Sequence, residues 1–294
     1  MNESYSGIFP ALVTPYTKKN EINETSLRKL VSWNLSKGVK GFYVCGTTAE
    51  ALMLSLEERK NILEIVVDEN KNKVKIICHV GCISTDDSIE LTHHACELGV
   101  DSISSIPPFY YPFTLEEIKS HYILIAEASN KPIIIYNFPS NSGFKITYQF
   151  LNFTKNYKNK FIGLKHTSKD LYELEKIVNH FNDFVVLSGY DEMFLGAIAM
   201  GAHGAIGSTY NFMSEIFIQL MSSFNQGKYD EARELQRKAN LFVNLMENTT
   251  GIPQVKAALE ILGIECNGCR NPIMKLNNST INKIEKTMKI IELI

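Results

Sequence analysis

Residues 132–137 read PIIIYN and residues 161–165 read FIGLK. Both are short, continuous apolar runs rich in β-branched residues, which is typical of strands buried on both faces of a parallel sheet. Amphipathic segments separate runs of this kind almost to residue 210. The six other runs are IFPALVT (8–14), GFYVC (41–45), KIICHV (75–80), VDSISSI (100–106), FVVLSG (184–189) and GAIG (204–207).

The segments between these runs carry signals for the beginnings and ends of helices. A hydroxyl residue precedes an acidic residue by three positions, as in a capping box, at Ser55, Ser84 and Thr114. Glycines stand where helices should end, at Gly38, Gly99 and Gly201. Eight strand–helix units predict a parallel sheet that closes into a (β/α)₈ TIM barrel. The alternative, an open doubly wound sheet, lacks a G-x-G-x-x-G after the first strand.

The strand pattern ends near residue 224. Three amphipathic segments then follow, YDEARELQRKANLFVNLM (229–246), PQVKAALEILG (253–263) and STINKIEKTMKIIELI (279–294). We therefore predict a barrel over residues 1–224 that carries the active site and a C-terminal three-helix extension over residues 225–294. The extension contains no obvious catalytic residue, so we assign it to packing or assembly.

Composition excludes several classes of protein. The chain has 294 residues, 45% of them hydrophobic, which is enough for one large core. A net charge of −2 offers no basic excess for nucleic acid or an anionic membrane. No apolar stretch approaches the roughly 18 residues of a membrane span. Residues 1–16, MNESYSGIFPALVTPY, lack the basic start of a signal peptide, so we expect a soluble, cytoplasmic protein.

Cysteines and histidines show no metal-binding pattern. Six scattered cysteines suit reduced thiols better than a disulfide framework. Cys266 and Cys269 form a C-x-x-C without a second pair, and we interpret them as two thiols on a surface loop. His93 and His94 are adjacent on a predicted helix and cannot share a face. We expect no metal.

In a (β/α)₈ barrel the active site forms where the strands end, at the carboxyl face. Polar residues follow six of the predicted strands, in GTTAE (46–50), PPFYY (107–111), YN (136–137), KHT (165–167), GYDE (189–192) and GST (207–209). These groups should converge on one mouth.

Lys165 differs from the other lysines near strands. Lys75 and Lys131 begin strands, at the opposite face of the barrel, whereas Lys165 ends one. Burial in the mouth disfavours the ammonium form and lowers the pKa, which makes a lysine nucleophilic near neutral pH. The alternative is a lysine that pairs with Asp191 or Glu192 for structure alone.

Two further positions suit catalysis of this kind. Thr47 and Thr48 stand at a strand-to-helix turn, where free N–H groups and hydroxyls can hold a carboxylate; ordinary capping of the next helix is the alternative. Tyr136 offers a phenol that can move a proton if its ring faces the mouth. A strand tyrosine can equally belong to the core.

Together these residues resemble the pyruvate-dependent class I aldolase family, which includes N-acetylneuraminate lyase and dihydrodipicolinate synthase. The likeness runs nearly end to end, beginning at GIFPALVTPY (7–16). Four motifs are similar to the N-acetylneuraminate lyase branch, namely PPFYYPF (107–113), K-x-T-S-x-D-L-Y (165–172), G-Y-D-E (189–192) and G-A-I-G-S-T-Y-N (204–211).

The resemblance implies a mechanism and a set of roles. Lys165 would form a Schiff base with the keto acid, and Tyr136 would shuttle protons. N-acetylneuraminate would be cleaved reversibly to N-acetylmannosamine and pyruvate. No cofactor would be needed, because the Schiff base with Lys165 supplies the electron sink. Thr47 and Thr48 would hold the pyruvyl carboxylate. The sugar side would be lined by Thr167, Gly189, Asp191, Glu192, Gly207 and Ser208. Tyr110 would join the proton relay of a neighbouring subunit in a homotetramer.

Assembly has its own sequence signal. Phe109, Tyr110 and Tyr111 follow two prolines, a rigid turn that we expect to direct the rings outward and into an interface. The alternative is a lid formed by these rings over their own barrel.

The chain departs from the family pattern in two places. The family loop reads G-[ST]-[ST]-G-E, whereas position 49 is alanine here; if that position needs a positive φ, alanine costs about 1 kcal/mol or shifts the loop. Residues 140–142 read SNS where the dihydrodipicolinate branch carries an arginine. This argues against a carboxylated aldehyde as substrate.

Three other functions compete with this interpretation. A related aldolase for 2-keto-3-deoxy sugar acids would share every core residue. A catalytically silent barrel that binds keto acids would not need Lys165 and Tyr136 together. A triose-type isomerase would need a catalytic glutamate and phosphate-binding loops that the sequence lacks.

Overall fold

Eight parallel strands form the centre of the computed structural model, which describes residues 2–157 and 159–294. The strands are β1 (Gly7–Pro10), β2 (Gly41–Val44), β3 (Lys75–His79), β4 (Ser102–Ser105), β5 (Ile133–Asn137), β6 (Phe161–His166), β7 (Val185–Ser188) and β8 (Gly204–Gly207). Each strand from β2 to β7 pairs with the next, and β8 pairs with β1. At the last seam, between β1 and β2, the Leu12 N–H donates to the Tyr43 carbonyl at 3.0 Å. The sheet therefore closes, and the predicted (β/α)₈ barrel is confirmed.

Helices follow the strands around the barrel. They are α1 (Glu24–Ser36), α2 (Leu56–Asn70), α3 (Thr85–Glu97), α4 (Leu115–Ala128), α5 (Pro139–Ser142), α6 (Tyr148–Leu151), α7 (Leu171–His180), α8 (Phe194–Ala199) and α9 (Tyr210–Asn225). No helix in the described part of the chain is long and apolar enough to cross a membrane.

The predicted helix signals have the expected geometry. Ser55 and Thr114 form complete capping boxes, in which each hydroxyl accepts an N–H and the acid three residues later accepts the cap's own N–H. Ser84 accepts the Asp87 N–H. The three predicted helix-ending glycines all take positive φ, namely Gly38, Gly99 and Gly201.

Two apolar cores lie on either side of the sheet. The larger one fills the space between strands and helices and includes Phe42, Leu164 and Phe217. The smaller one fills the barrel and includes Tyr43 and Tyr136. Because successive strand residues face opposite sides, Tyr43 and Tyr136 lie inside the barrel, beneath its carboxyl end.

Three helices extend the barrel, as predicted: α10 (Tyr229–Val243), α11 (Ile252–Ile261) and α12 (Asn278–Ile290). Helix α10 packs on α9, and α11 packs on both α12 and α9. The division at residues 224 and 225 falls at the end of α9 and stays a prediction.

Candidate active site

A cavity of about 270 Å³ opens at the carboxyl end of the strands. Ten of the eleven site residues proposed from the sequence line it, and these are Thr47, Thr48, Tyr136, Lys165, Thr167, Gly189, Asp191, Glu192, Gly207 and Ser208. The eleventh, Tyr110, does not. Five different strands, β2, β5, β6, β7 and β8, supply the ten residues, so their meeting depends on closure of the barrel.

Lys165 lies on β6 with only 4% of its surface exposed. Its Nζ stands 4.0 Å from the ring centre of Tyr43 and 4.1 Å from that of Tyr136. Lys165 forms no ion pair within 4.0 Å with another described residue, and Asp191 attracts the amine only from a longer distance. The geometry therefore does not show the alternative, a structural ion pair with an acid. Burial lowers the pKa of the amine to about 7, against the opposing attraction of Asp191. A substantial part of the amine is therefore neutral and nucleophilic at pH 7.

Tyr136 is the register partner of Lys165 on the neighbouring strand β5. Its hydroxyl lies 3.4 Å from Thr47 Oγ1, a hydrogen bond in which either oxygen can donate. Burial raises the pKa of the phenol to about 12, with the Thr47 hydroxyl acting in the opposite direction. The ring belongs to the inner core and the hydroxyl faces the cavity, so packing and proton transfer are compatible in one residue.

The turn after β2 carries the two threonines. Thr47–Ala49 is a single 3₁₀ turn, whose first N–H groups have no partner within the turn. The concern over alanine at position 49 is wrong: the residue with positive φ is Glu50, at 62°. Gly46 has ordinary φ and is needed for space, since a Cβ there would lie 2.5 Å from the Tyr43 ring.

Thr167 also lines the cavity. Its buried Oγ1 makes no well-formed hydrogen bond with another described residue, although its hydroxyl acts to lower the pKa of Tyr136. A Cβ at Gly189 would lie 1.7 Å from this oxygen, so only glycine leaves room for it. A buried hydroxyl at a cavity wall that makes no well-formed hydrogen bond is a group that a polar ligand can satisfy.

Asp191 and Glu192 add two carboxylates on the same side. Asp191 is buried, and its Oδ2 accepts hydrogen bonds from the Thr209 N–H at 2.9 Å and the Thr209 hydroxyl at 2.7 Å. Its Oδ1 makes no well-formed hydrogen bond with another described residue, although the buried Tyr210 hydroxyl interacts with this carboxylate. A Cβ at Gly207 would lie 1.9 Å from Oδ1. Burial raises the pKa of both Asp191 and Glu192. These acceptors suit a ligand rich in hydroxyl groups.

The extension also reaches the site, which the sequence did not indicate. On α10, Gln236 Nε2 donates to the Asp191 carbonyl at 3.0 Å, and Gln236 Oε1 accepts the Leu195 N–H at 2.9 Å. Asn240 donates to the Glu192 carbonyl at 3.3 Å. The connection from α10 to α11 lines the cavity with Val243, Met246, Glu247, Thr249, Thr250, Gly251 and Ile252. The extension thus holds the acidic turn in addition to its packing role.

The aromatic segment after β4 is only partly as expected. Tyr110 is 84% exposed and Tyr111 is 60% exposed, so these two rings point outward. Phe109 is half-buried and packs on the inner core, so the expectation is wrong for this ring. The backbone of Tyr110 has a φ of 79°. Its ring is not part of the wall of the cavity in its own chain.

The thiols are unpaired, and one expectation about them is wrong. All six cysteines are free. Cys266 is fully buried and Cys269 half-buried, so this pair does not lie on an open surface loop. Burial raises the pKa of both thiols to about 12, which makes them poor nucleophiles. In residues 2–157 and 159–294, no group of three or more acidic, histidine or cysteine side chains is arranged to hold a metal ion.

Comparison with known proteins adds independent information. Residues 4–291 match the model of the dihydrodipicolinate synthetase family. The N-acetylneuraminate lyase of Rhizobium meliloti is 38% identical over 283 residues, which is 96% of this chain and 94% of that protein. The N-acetylneuraminate lyase of Escherichia coli is 38% identical over 277 residues, 92% of each chain.

Solved structures show the same relationship. The CdNal protein of Clostridium difficile, in complex with mannosamine, has a TM-score of 0.92 and 34% identity, with 97% of this chain and 99% of that chain covered. A catalytic lysine mutant of Ruminococcus gnavus sialic acid aldolase has a TM-score of 0.93 and 32% identity, with 98% and 96% covered.

Proposed function

The chain belongs to the dihydrodipicolinate synthetase family, and on that premise we propose that it reversibly cleaves N-acetylneuraminate to N-acetylmannosamine and pyruvate through a Schiff base. The observation that carries the proposal is Lys165, a buried amine with a pKa of about 7 in a cavity that also holds two carboxylates. The relatives named N-acetylneuraminate lyase, at 38% identity over most of both chains, support this substrate.

The first steps form the covalent intermediate. The neutral Lys165 amine attacks the C2 carbonyl of the open-chain sugar acid, and loss of water leaves an iminium ion. The turn at Thr47 and Thr48 presents N–H groups and hydroxyls to the substrate carboxylate. Tyr43 and Tyr136 place their ring faces about 4 Å from Lys165 Nζ, where they stabilise the new cation.

Cleavage follows from the charge of the iminium. The C4 hydroxyl gives up its proton, C4 becomes the aldehyde carbon of N-acetylmannosamine, and the C3–C4 electron pair moves to form an enamine. Tyr136 gives its own proton to the C2 hydroxyl, which leaves as water when the iminium forms, and the resulting phenolate takes the C4 hydroxyl proton and returns it to C3 of the enamine. The iminium beside the ring stabilises this phenolate, whose pKa burial alone raises to about 12. Hydrolysis of the product iminium restores the Tyr136 proton. Protonation of the enamine at C3 and hydrolysis then release pyruvate and the free lysine.

The sugar side gives selectivity. Thr167 Oγ1 and Asp191 Oδ1 are buried and make no well-formed hydrogen bond with another described residue, although the Tyr136 and Tyr210 hydroxyls interact with these two side chains. Hydroxyl groups of the sugar can pair with both. Glu192 and Ser208 lie beside them in the cavity wall. Gly189 and Gly207 leave the space that these groups occupy. No cofactor enters this scheme, since the iminium receives the electron pair.

Assembly and location are part of the proposal. We propose a cytoplasmic homotetramer in which Tyr110 completes the proton relay of a neighbouring subunit. The exposure of Tyr110 and Tyr111 supports an interface at this segment. Six free thiols suit a reducing compartment. Sedimentation at assay concentration tests the assembly, and a fully active monomer contradicts it.

The function is tested by trapping and turnover. Borohydride added with pyruvate should inactivate the protein and place the reduced pyruvyl group on Lys165, as peptide mass spectrometry can show. N-acetylneuraminate should release pyruvate, which a coupled assay detects. Faster turnover of 2-keto-3-deoxygluconate would favour the sugar-acid aldolase instead, and labelling at another lysine would overturn the Schiff-base assignment.

A further inference from the structure

A buried ion pair lies directly behind the threonine turn. Glu50 follows Thr47–Ala49, and Lys256 lies on α11 of the extension. Lys256 Nζ stands 2.5 Å from Glu50 Oε1, and the two side chains are 1% and 0% exposed. Neither residue lines the cavity. The mechanism above uses neither charge.

Every charged or polar atom of the pair has a partner. The second carboxylate oxygen, Glu50 Oε2, accepts the Arg270 N–H at 2.8 Å. Lys256 Nζ also donates to the Gly268 carbonyl at 2.7 Å and lies 4.1 Å from the ring centre of Tyr16. The pair therefore joins the loop after β2 to two separate parts of the extension, α11 and the segment at residues 268–270.

Such a pair needs an explanation other than stability. Removing two charges from water costs as much as their attraction returns, so apolar side chains of the same volume serve stability equally well. A buried ion pair whose hydrogen bonds are all satisfied instead fixes one conformation, because any other arrangement of the two side chains leaves a buried charge unpaired.

The ion pair is anchored at a residue with an unusual backbone conformation. Glu50 has a φ of 62°, a left-handed conformation that costs a non-glycine residue about 1 kcal/mol or more and persists where the surroundings enforce it. This residue joins two successive 3₁₀ turns, Thr47–Ala49 and Ala51–Met53. The Thr14 hydroxyl donates to the Ala49 carbonyl at 2.8 Å, and Arg270 Nη1 donates to the Met53 carbonyl at 3.0 Å, so the backbone is held on both sides of Glu50.

We propose that Glu50 and Lys256 are positioning residues for the keto-acid carboxylate. The ion pair holds the turn so that the free N–H groups and hydroxyls of Thr47 and Thr48 face the cavity. It also keeps Thr47 Oγ1 within 3.4 Å of the Tyr136 hydroxyl. The inference rests on the proposed function, because it assigns the carboxylate of pyruvate to this turn.

The test separates the two substrates of the condensation reaction. The KM values of pyruvate and of N-acetylmannosamine are measured for the wild type, Glu50→Gln and Lys256→Met, together with the pyruvate dependence of borohydride trapping. Lys238→Met is the matched control, because it breaks an exposed ion pair of the extension, with Glu292 at 2.7 Å. Circular dichroism reports folding, and trapping at saturating pyruvate counts intact sites.

We expect both buried-pair variants to raise the pyruvate KM and the half-saturating pyruvate in trapping by roughly 10-fold or more, since a small misplacement of binding groups is costly. The KM of N-acetylmannosamine should change by less than about 2-fold, as for a group that does not touch that substrate. Lys238→Met should match the wild type in both values.

A folding defect is handled by a double variant. Glu50→Leu with Lys256→Met leaves no unpaired buried charge, so the protein should fold, and the raised pyruvate KM should persist. A wild-type pyruvate KM in any folded variant of the pair overturns the inference, and so do equal rises in both KM values. A wild type that pyruvate and borohydride do not trap refutes the proposed function instead.

Discussion

The two sides of the cavity are held by different parts of the chain. The keto-acid side, defined as Thr47, Thr48, Tyr136 and Lys165, includes register partners on two paired strands. The sugar side, defined as Thr167, Asp191, Glu192 and Ser208, has its two acids on a turn whose carbonyls accept hydrogen bonds from α10. The keto-acid side has uncharged hydroxyl groups and a lysine whose pKa is lowered to about 7. The sugar side has two carboxylates. In the proposed mechanism, covalent chemistry therefore depends on the sheet, and selectivity depends on a turn that the extension supports.

This difference predicts that variants of the two sides fail in different ways. Variants of the keto-acid side should lose chemistry with every sugar. Variants of the sugar side should keep the Schiff base and lose cleavage of particular substrates.

The largest effect is expected for Lys165→Arg. A guanidinium stays protonated and cannot attack a carbonyl, so turnover should fall by about 10⁴-fold or more, as when other enzymes lose their nucleophile. The coupled pyruvate assay measures this loss. Lys131→Ala, at the opposite end of a strand, is the control and should remain active. Substantial turnover by Lys165→Arg would remove the covalent mechanism.

Tyr136→Phe should separate binding from proton transfer. The variant keeps the ring that packs in the barrel but lacks the hydroxyl, so pyruvate should still be trapped while kcat falls on the order of 10²-fold. Single-turnover trapping and steady-state kcat provide the two readings. A kcat close to the wild-type value would leave Tyr136 as a packing residue.

Asp191→Ala and Glu192→Ala should each weaken cleavage of N-acetylneuraminate by roughly 1–3 kcal/mol in kcat/KM, because sugar hydroxyls lose their acceptors. Trapping with pyruvate alone should be close to normal. A sugar-side variant that loses pyruvate trapping as severely as cleavage would show that the two sides are not separable.

The pH dependence should report the amine. Burial lowers the pKa of Lys165 to about 7, so the protonated, unreactive form dominates below this pH. The trapping rate at low pyruvate should rise about 10-fold per pH unit up to about pH 7 and then level off. An ordinary exposed lysine would keep rising toward its usual pKa near 10.4. A rate still rising steeply above pH 9 contradicts the lowered pKa.

The smallest effect is expected for Gln236→Leu. This change removes the hydrogen bonds to the Asp191 carbonyl and the Leu195 N–H but no ligand contact. The KM of N-acetylmannosamine should rise by about 3–10-fold, in line with about 1 kcal/mol for lost hydrogen bonds, and the pyruvate KM should stay unchanged. Gln219→Leu, which removes an exposed contact with Glu231, is the control. Equal KM values for N-acetylmannosamine in Gln236→Leu and Gln219→Leu would mean that α10 does not position the sugar side.

Some of the site could be predicted because it follows from local pattern and connectivity. Lys165 and Tyr136 close apolar strands, and the carboxyl ends of parallel strands meet at one face, so their proximity needed no tertiary information. The positive φ at Glu50 instead of Ala49 was missed, since a side chain 206 residues away, that of Lys256, contacts this turn. Residues 243–252 were also missed as part of the cavity wall. Nothing in the sequence of that segment indicates that it packs against the cavity.

The order of the eight strands, their closure and the end at which the polar groups gather were determined by the sequence, because burial pattern and chain direction act over short distances. Only the tertiary structure decided the acidity of Lys165 and the space opened by Gly189 and Gly207. The tertiary structure also decided that the C-terminal extension contacts both sides of the cavity. Desolvation, close approach and buried ion pairs arise between atoms that are distant in sequence, so they exist only after the barrel has closed and the C-terminal helices have packed against it.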